Sequence, residues 1–303
     1  MRLPKNLIQL LISVLAITPY SAYAHIQVTD DVGAVVTLTT PAKRVISLAP
    51  HLTELIYAAG GGSVLRGTVK HSDYPNAARQ LPRVGDYQAL DLEQIIALRP
   101  DLVVAWQYGN VERQLHALRK LHIPIFYNAP RQLDDISITL EKFGILFDTR
   151  ATADLAAAQL RADITALRIR YAQRAPVRVF YQVSDQPLIT LNGKQIASDV
   201  IRVCGGHNVF ADLAPEAPVI SLEAVLAADP QAIIVSRPSA IASGQALPNL
   251  ERWRNWRQLS AIQHNALFAI EADLLDRPAP RIAQGAARLC EALDTARNRL
   301  KQN

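Results

Sequence analysis

Residues 220–236 read "ISLEAVLAADPQAIIVS", and residues 90–106 read "LDLEQIIALRPDLVVAW". Aligned at a constant offset, they agree at Leu92/Leu222, Glu93/Glu223, Ala97/Ala227 and Pro100/Pro230, with apolar residues matched between them. Each copy opens as a short helix; in the first, Leu92, Ile95, Ile96 and Leu98 form one apolar side. After the proline comes a strand ("DLVVAW", "QAIIVS") too uniformly hydrophobic to face water on either side. A helix leading into a fully buried strand is the building unit of a parallel sheet covered on both faces. Two copies predict two such sheets.

The same rhythm continues on either side. An extended leader (26–44) precedes the strand "RVISLAP" (44–50), and "HLTELIYAAGGG" (51–62) is a helix capped by Thr53 or a neighbour and stopped by glycines. "SVLRGTVKHSDYP" (63–75) reads as a strand and loop, "VERQLHALRKLH" (111–122) as a helix and "IPIFYN" (123–128) as a strand. In the second half "VRVFYQV" (177–183) is a strand and "SDVIRVCGGHNVF" (198–210) a helix ended by Gly205-Gly206. "LERWRNWRQLSAI" (250–262) is a helix, "NALFAI" (265–270) a strand, and a terminal helix holding Cys290 follows Pro280. "ELIYAAGG" (54–61) also has a counterpart in "VIRVCGG" (200–206), so the echo extends over whole lobes.

One segment breaks the pattern. Residues 148–176 contain no glycine and no proline before Pro176, and Leu160, Ile164, Leu167 and Tyr171 recur at helical spacing. The spacing predicts a single long helix, a spine between the lobes; two shorter helices with a kink are the alternative. The predicted fold is therefore α/β: two doubly wound, Rossmann-like lobes joined by a long α-helix, with a ligand cleft between them. The expected boundaries are 25–148 for the first lobe, 149–175 for the linking helix and 176–303 for the second.

The N-terminus starts with Arg2 and Lys5, runs apolar from Leu7 to Ile17, and reaches small residues at Ala22-Tyr23-Ala24. This is the pattern of a secretory signal peptide (1–24) cut between Ala24 and His25, with an apolar run well short of the ~20 residues of a spanning helix. Residues 1–24 hold two positive charges and no negative ones, so the net charge of +5 falls to +3 without them. That mild excess carries no basic stripe of the kind nucleic-acid binders show. Cys204 and Cys290, the only cysteines, are too far apart for a redox or zinc motif. In an oxidising compartment they read as one structural disulfide.

Open α/β sheets bind ligands beyond the carboxyl ends of their strands. In the first lobe those ends carry Pro50, His51, His71, Asp73, Tyr74, Tyr87, Trp106 and Tyr108. In the second they carry the segment after Tyr181, the loop around Ala217, and Asp273, Leu274, Leu275, Asp276 and Arg277. Each aromatic alone fits ordinary core packing; together, at strand ends, they suit a large, flat, partly apolar ligand. No nucleophile elbow, P-loop, H-E-x-x-H or dinucleotide fingerprint is present, and "GGGS" (60–63) follows a helix where a phosphate cradle would precede one. A catalytic cofactor and a dedicated metal site are accordingly not expected. His51 or His71 as axial ligand to a metal inside a macrocycle stays open. So do two readings of Glu93 and Glu223: favourable first-turn carboxylates at a helix dipole, or a symmetrical pair docking into arginine sockets of a two-fold partner.

"RVISLAPHLTELIYAAG", "SDYP", "LEQIIALRPDLVVAW" followed by "GNVERQ", "VCGGHNVF", "SLEAVLAADPQAIIV" and "DRPAPRI" resemble the periplasmic binding proteins with a helical backbone. The resemblance spans Arg44 to Leu293 and is greatest to the branch that binds cobalamin (vitamin B12) for bacterial ABC importers. It implies a non-catalytic, monomeric periplasmic protein carrying cobalamin or a related corrinoid to an inner-membrane permease dimer. By motif it implies ligand contacts from the loop before "SDYP", Tyr87, Trp106 and residues 273–277. It also implies docking on transporter arginines through Glu93 and Glu223, and a disulfide joining a second-lobe helix to the terminal helix. His71 stands where that branch has tyrosine, Tyr87 where it has tryptophan, and Ala217 where a tryptophan is expected. Haem or a ferric siderophore is the alternative cargo, and a secreted α/β enzyme the reading from another class.

Overall fold

The computed structural model describes residues 25–86, 89–110, 112–238 and 247–302. The proposed signal peptide and Tyr87 lie outside the described residues.

The leader is a hairpin of β1 (Ile26–Thr29) and β2 (Val35–Leu38). The first lobe then runs β3 (Val45–Ser47), α1 (Pro50–Ala58), β4 (Leu65–Thr68), α2 (Leu92–Ala97), β5 (Leu102–Trp106), α3 (Glu112–Lys120) and β6 (Ile125–Asn128). Two helices follow, α4 (Leu133–Phe147) and α5 (Arg150–Tyr171). The second lobe opens with β7 (Val177–Gln182), the small hairpin β8 (Ser184–Asp185) and β9 (Leu188–Ile189), and α6 (Ile196–Val203). It continues with β10 (Gly206–Asn208), α7 (Leu222–Ala228), β11 (Ala232–Arg237), α8 (Pro248–Glu251) and α9 (Ser260–Gln263). β12 (Leu267–Glu271), α10 (Ala272–Leu275) and α11 (Ile282–Leu300) complete it.

Both sheets have four parallel strands, ordered β4-β3-β5-β6 and β10-β7-β11-β12. Counted within each lobe, the order is the same: second, first, third, fourth. The repeated phrase explains the match residue by residue. Asp91 caps α2 by accepting from the Gln94 N–H at 2.9 Å, and Ser221 caps α7 by accepting from the Ala224 N–H at 3.2 Å. Both copies then turn through a left-handed residue at the equivalent place, Arg99 (φ 47°) and Asp229 (φ 39°), which stops the helix and aims the chain into β5 or β11. One expectation fails inside the first copy: Ile96 is exposed, because a six-residue helix buries only Ile95 fully beneath it.

α5 is a single helix of 22 residues, about 33 Å long. Ala153, Ala157, Leu160, Ile164 and Tyr171 form its buried face. The sequence reading missed α4, which turns at Asp148 (φ 59°) and packs antiparallel on α5. Gly144 permits that approach, since a Cβ there would lie 2.6 Å from the Ala153 methyl. Arg161 and Glu141 bridge the pair at 2.9 Å. The spine is thus a helical hairpin.

Three further corrections concern ends and breaks. α1 starts with Pro50 at its first turn after Ala49, and Thr53 is not its cap; the Thr53 hydroxyl lies 2.9 Å from that of Ser47 instead. "GHN" after the α6 glycine is the edge strand β10, three residues and therefore too short to show periodicity. Residues 250–262 form no continuous helix, because Trp253 turns inward and donates its indole N–H to the buried Gln182 amide at 2.6 Å. Cys204, at the end of α6, is bonded to Cys290 on α11 with Cα atoms 4.6 Å apart.

Candidate functional site

In each sheet the strand order reverses between the first and third strands of the lobe, opening a crevice at their carboxyl ends. In the first lobe this point lies between β3, which runs out into Leu48, Ala49, Pro50 and His51, and β5, which ends in Trp106. Asn110 ties the two together. Its side-chain oxygen accepts from the Trp106 backbone N–H at 2.7 Å, and its nitrogen donates to the Leu48 carbonyl at 2.9 Å. Gly109 is required beneath the indole, because a Cβ would sit 1.9 Å from the ring. "AWQYGN" is therefore a device for placing one tryptophan.

His51 is buried at the start of α1, with its ring edge-on to Trp106 at 5.5 Å and its Nε2 3.2 Å from Asn128 Oδ1. Burial pushes its pKa down to about 3, only partly offset by Asn128, with Arg277 adding repulsion. The folded state thus binds fewer protons than the unfolded state between about pH 3 and 6.5, and stability falls as pH drops through that window. Between pH 7 and pH 5 the wild type should lose about 2 kcal/mol more than His51→Gln. Urea midpoints at the two pH values check this; equal losses would contradict it.

In the second lobe the crevice between β7 and β11 is closed by Asp276. Its carboxylate accepts from the Tyr181 hydroxyl and from the Ser236 hydroxyl, each at 2.6 Å. Tyr181 is fully buried, and burial together with Asp276 pushes its phenol well above the usual range, so it remains a donor. It supports the cleft from below and does not line it. Leu274 is likewise packed in the core, its carbonyl against Gly285.

The lobes are joined on both flanks of the cleft. On one side Glu54 of α1, nearly inaccessible, takes Arg281 in a two-pronged contact (2.6 and 2.8 Å) and Arg277 at 3.1 Å. Arg277 also reaches Asp273 at 2.9 Å and Asp73 at 3.4 Å, and the Arg281 guanidinium stacks 4.0 Å from the centre of the Tyr74 ring. On the other side Arg131 contacts Glu216 at 3.4 Å while stacking on Tyr108, and Asp199 of α6 accepts from the Leu133 N–H at 2.8 Å.

Three hollows between these flanks share residues and form one cleft. An apolar recess of about 170 Å³ lies against Pro50, His51, His71 and Trp106. A second, about 430 Å³, is bounded by Trp106, Tyr108, Ala217, Leu275 and Asp276. A third, about 580 Å³ and polar, is bounded by His71, Asp73, Tyr74, Asp273 and Arg277. The structure thus brings together the sequence-selected residues except Tyr181 and Leu274, which lie beneath, and Tyr87. A larger hollow of about 660 Å³ beside the edge strand β12 is at neither crevice. Val183, in the segment after Tyr181, joins Leu191, Gln195, Ile196 and Ala197 in the second-lobe wall; sequence reading missed the last four. The signal for Leu191 was the apolar "PLITL" (187–191), whose strand β9 has only two residues.

Glu93 and Glu223 are both exposed in the first turns of α2 and α7, and neither forms an ion pair among the described residues. The chain matches the periplasmic binding protein family model over residues 45–274. It is 38% identical to the vitamin B12-binding protein of Vibrio parahaemolyticus over 260 residues, covering 86% of this chain and 92% of that one. Its identity to the vitamin B12-binding protein of Vibrio cholerae is 40% over 257 residues, covering 84% and 91%. The crystal structure of the periplasmic vitamin B12 binding protein BtuF of Vibrio cholerae superposes with a TM-score of 0.77, covering 84% of this chain and 98% of that one. The periplasmic heme-binding protein RhuT from Roseiflexus shares the fold alone, with a TM-score of 0.73 at 24% identity.

Proposed function

The chain belongs to the periplasmic binding protein family, and on that premise we propose that it captures cobalamin or a closely related corrinoid for an inner-membrane ABC importer. One observation carries the choice of cargo. Four of the basic groups at the cleft are already matched by carboxylates: Lys70 by Asp86, Arg131 by Glu216, Arg277 by Glu54 and Asp273, and Arg281 by Glu54, while Arg79 in the polar hollow donates to the Asp73 backbone carbonyl. To engage any of those four, an anionic siderophore or the propionates of haem would have to break such pairs. A large ring bearing neutral amides would not, and Trp106 at the junction of two hollows offers it a face.

In this reading residues 1–24 are a signal peptide cleaved before His25, residues 25–148 and 176–303 are the two lobes, and 149–175 is the linking helix. The cargo contacts are Pro50, His51, His71, Asp73, Tyr74, Tyr87, Trp106, Tyr108, Ala217, Leu275, Asp276 and Arg277. Binding is non-covalent and precedes delivery to a two-fold permease, on which Glu93 and Glu223 dock.

Incubation with cyanocobalamin, haemin and a ferric hydroxamate, followed by gel filtration, tests the cargo. Cyanocobalamin absorbance should co-elute at one per chain; retention of haemin or the siderophore in its place would overturn the reading. Trp106→Ala should weaken cyanocobalamin binding by about 1–2 kcal/mol, the worth of a ring stacked on a flat partner plus the area it covers. Unchanged affinity by calorimetry would remove Trp106 from the contact.

A further inference from the structure

Asn128, fully buried at the end of β6, has a fixed amide orientation. Its nitrogen donates to Asp31 Oδ2 at 2.8 Å and to Thr139 Oγ1 at 3.2 Å, while the Thr139 hydroxyl gives its own hydrogen to the Asp135 carbonyl at 2.9 Å. Asp31 is itself held by Lys142 at 2.8 Å and the Ala129 N–H at 2.9 Å. The atom facing His51 Nε2 is therefore the amide oxygen, an acceptor, and Nε2 carries the ring hydrogen. In a neutral imidazole the lone pair then sits on Nδ1. Nδ1 has no hydrogen-bond partner among the described residues, although His51 is only 4% exposed and lines the apolar recess of the cleft.

A core histidine with a purely structural role normally finds partners for both nitrogens. This one has a three-residue relay, Asp31 to Asn128 to His51, that orients one nitrogen and leaves the other an acceptor, on a side chain that lines the recess with Leu48, Ala49, Pro50, Val69 and Trp106. Of the other polar side chains that line the recess, His71 has one donor and one acceptor nitrogen. The Asp276 carboxylate is an acceptor, and the two cations there, Lys70 and Arg277, are paired with Asp86 and with Glu54, Asp73 and Asp273.

We infer that the recess takes a carboxamide N–H of the cargo, with His51 Nδ1 as its acceptor, and that His51 thereby selects carboxamide-bearing over carboxylate-bearing rings. This rests on the corrinoid reading, since the corrin periphery carries carboxamides whereas haem carries carboxylates. A carboxamide supplies the hydrogen that Nδ1 lacks. A carboxylate supplies none and sets its charge against a lone pair and Asp276 in a poorly hydrated pocket, where an unmet group is costly. Burial holds the imidazole neutral, with its pKa pushed down to about 3, so it does not become a donor near neutral pH.

The test uses the full mature protein, cyanocobalamin, and the cyanocobalamin monocarboxylic acids in which one propionamide has been hydrolysed. Calorimetry at neutral pH should show at least one monoacid binding about a hundredfold or more weaker than cyanocobalamin. In His51→Leu that ratio should fall below about tenfold, because the acceptor is gone. In His51→Gln it should fall similarly, because a side-chain amide can turn an N–H toward a carboxylate; this variant also keeps a donor for Asn128 if the leucine variant does not fold. A loss of packing alone would weaken all ligands together and leave the ratio intact. Monoacids that all bind the wild type within about threefold of cyanocobalamin, or a ratio unchanged in the variants, would overturn the inference. Failure of the wild type to bind cyanocobalamin at all would overturn the cargo reading, and this inference with it.

Discussion

Glu54→Ala should lower the melting temperature by about 10 °C. The carboxylate is 2% exposed and meets Arg277 and Arg281, which are 16% and 19% exposed. Removing it leaves two guanidinium groups partly buried across the lobe junction. Breaking such a contact from one side costs about 3–5 kcal/mol, mostly as the penalty on the stranded charge. In a chain of this size each kcal/mol moves the midpoint by a few degrees. Glu54→Gln, which keeps the acceptor, should lose less. Asp73→Ala should move the midpoint little, because that partner is 48% exposed and an exposed ion pair contributes under about 1 kcal/mol. Calorimetric scans of the three variants check the ranking. A Glu54→Ala midpoint within about 2 °C of wild type would show that the flank does not hold the lobes together.

Uptake by the reconstituted transporter should fall at least about tenfold when Glu93 and Glu223 are both replaced by alanine, with cargo affinity and melting temperature nearly unchanged. Both carboxylates are exposed, so each contributes little to the fold through the helix dipole. A carboxylate entering an arginine socket makes a paired contact whose loss costs about 2–5 kcal/mol in docking. Each single variant should show a smaller deficit. A double variant that delivers cobalamin at the wild-type rate would reduce both residues to helix-start carboxylates.

The lobe repeat was legible because its information is local. A cap, a six- or seven-residue helix, a left-handed residue, a proline and a buried strand all fall within 17 consecutive residues, and 90–106 and 220–236 keep them in register. α5 was legible for the same reason, through one apolar face over 22 residues. Three of the elements missed are short: β8, β9 and β10 have two or three residues each, whereas α4 did carry a helical pattern in Leu133, Ile136, Leu140, Phe143 and Phe147. The broken helix at 250–262 shows a tertiary contact overriding local pattern, since Trp253 is drawn inward to Gln182 from a distant strand. The strand-end rule brought most cleft residues together. It did not separate Trp106, which lines the cleft, from Tyr181, which lies under it; that depends on Asp276 and Ser236, far away in sequence. The Glu54 contact with Arg281 spans 227 residues and left no trace in either segment alone.

Crystals grown with cyanocobalamin offer the most direct test, because the cobalt can be located by its own anomalous scattering. The corrinoid account requires one cobalt per chain, in the cleft, between Trp106 of the first lobe and Asp276 of the second. A cleft empty of cobalt, or a peak in the hollow beside β12, would contradict it.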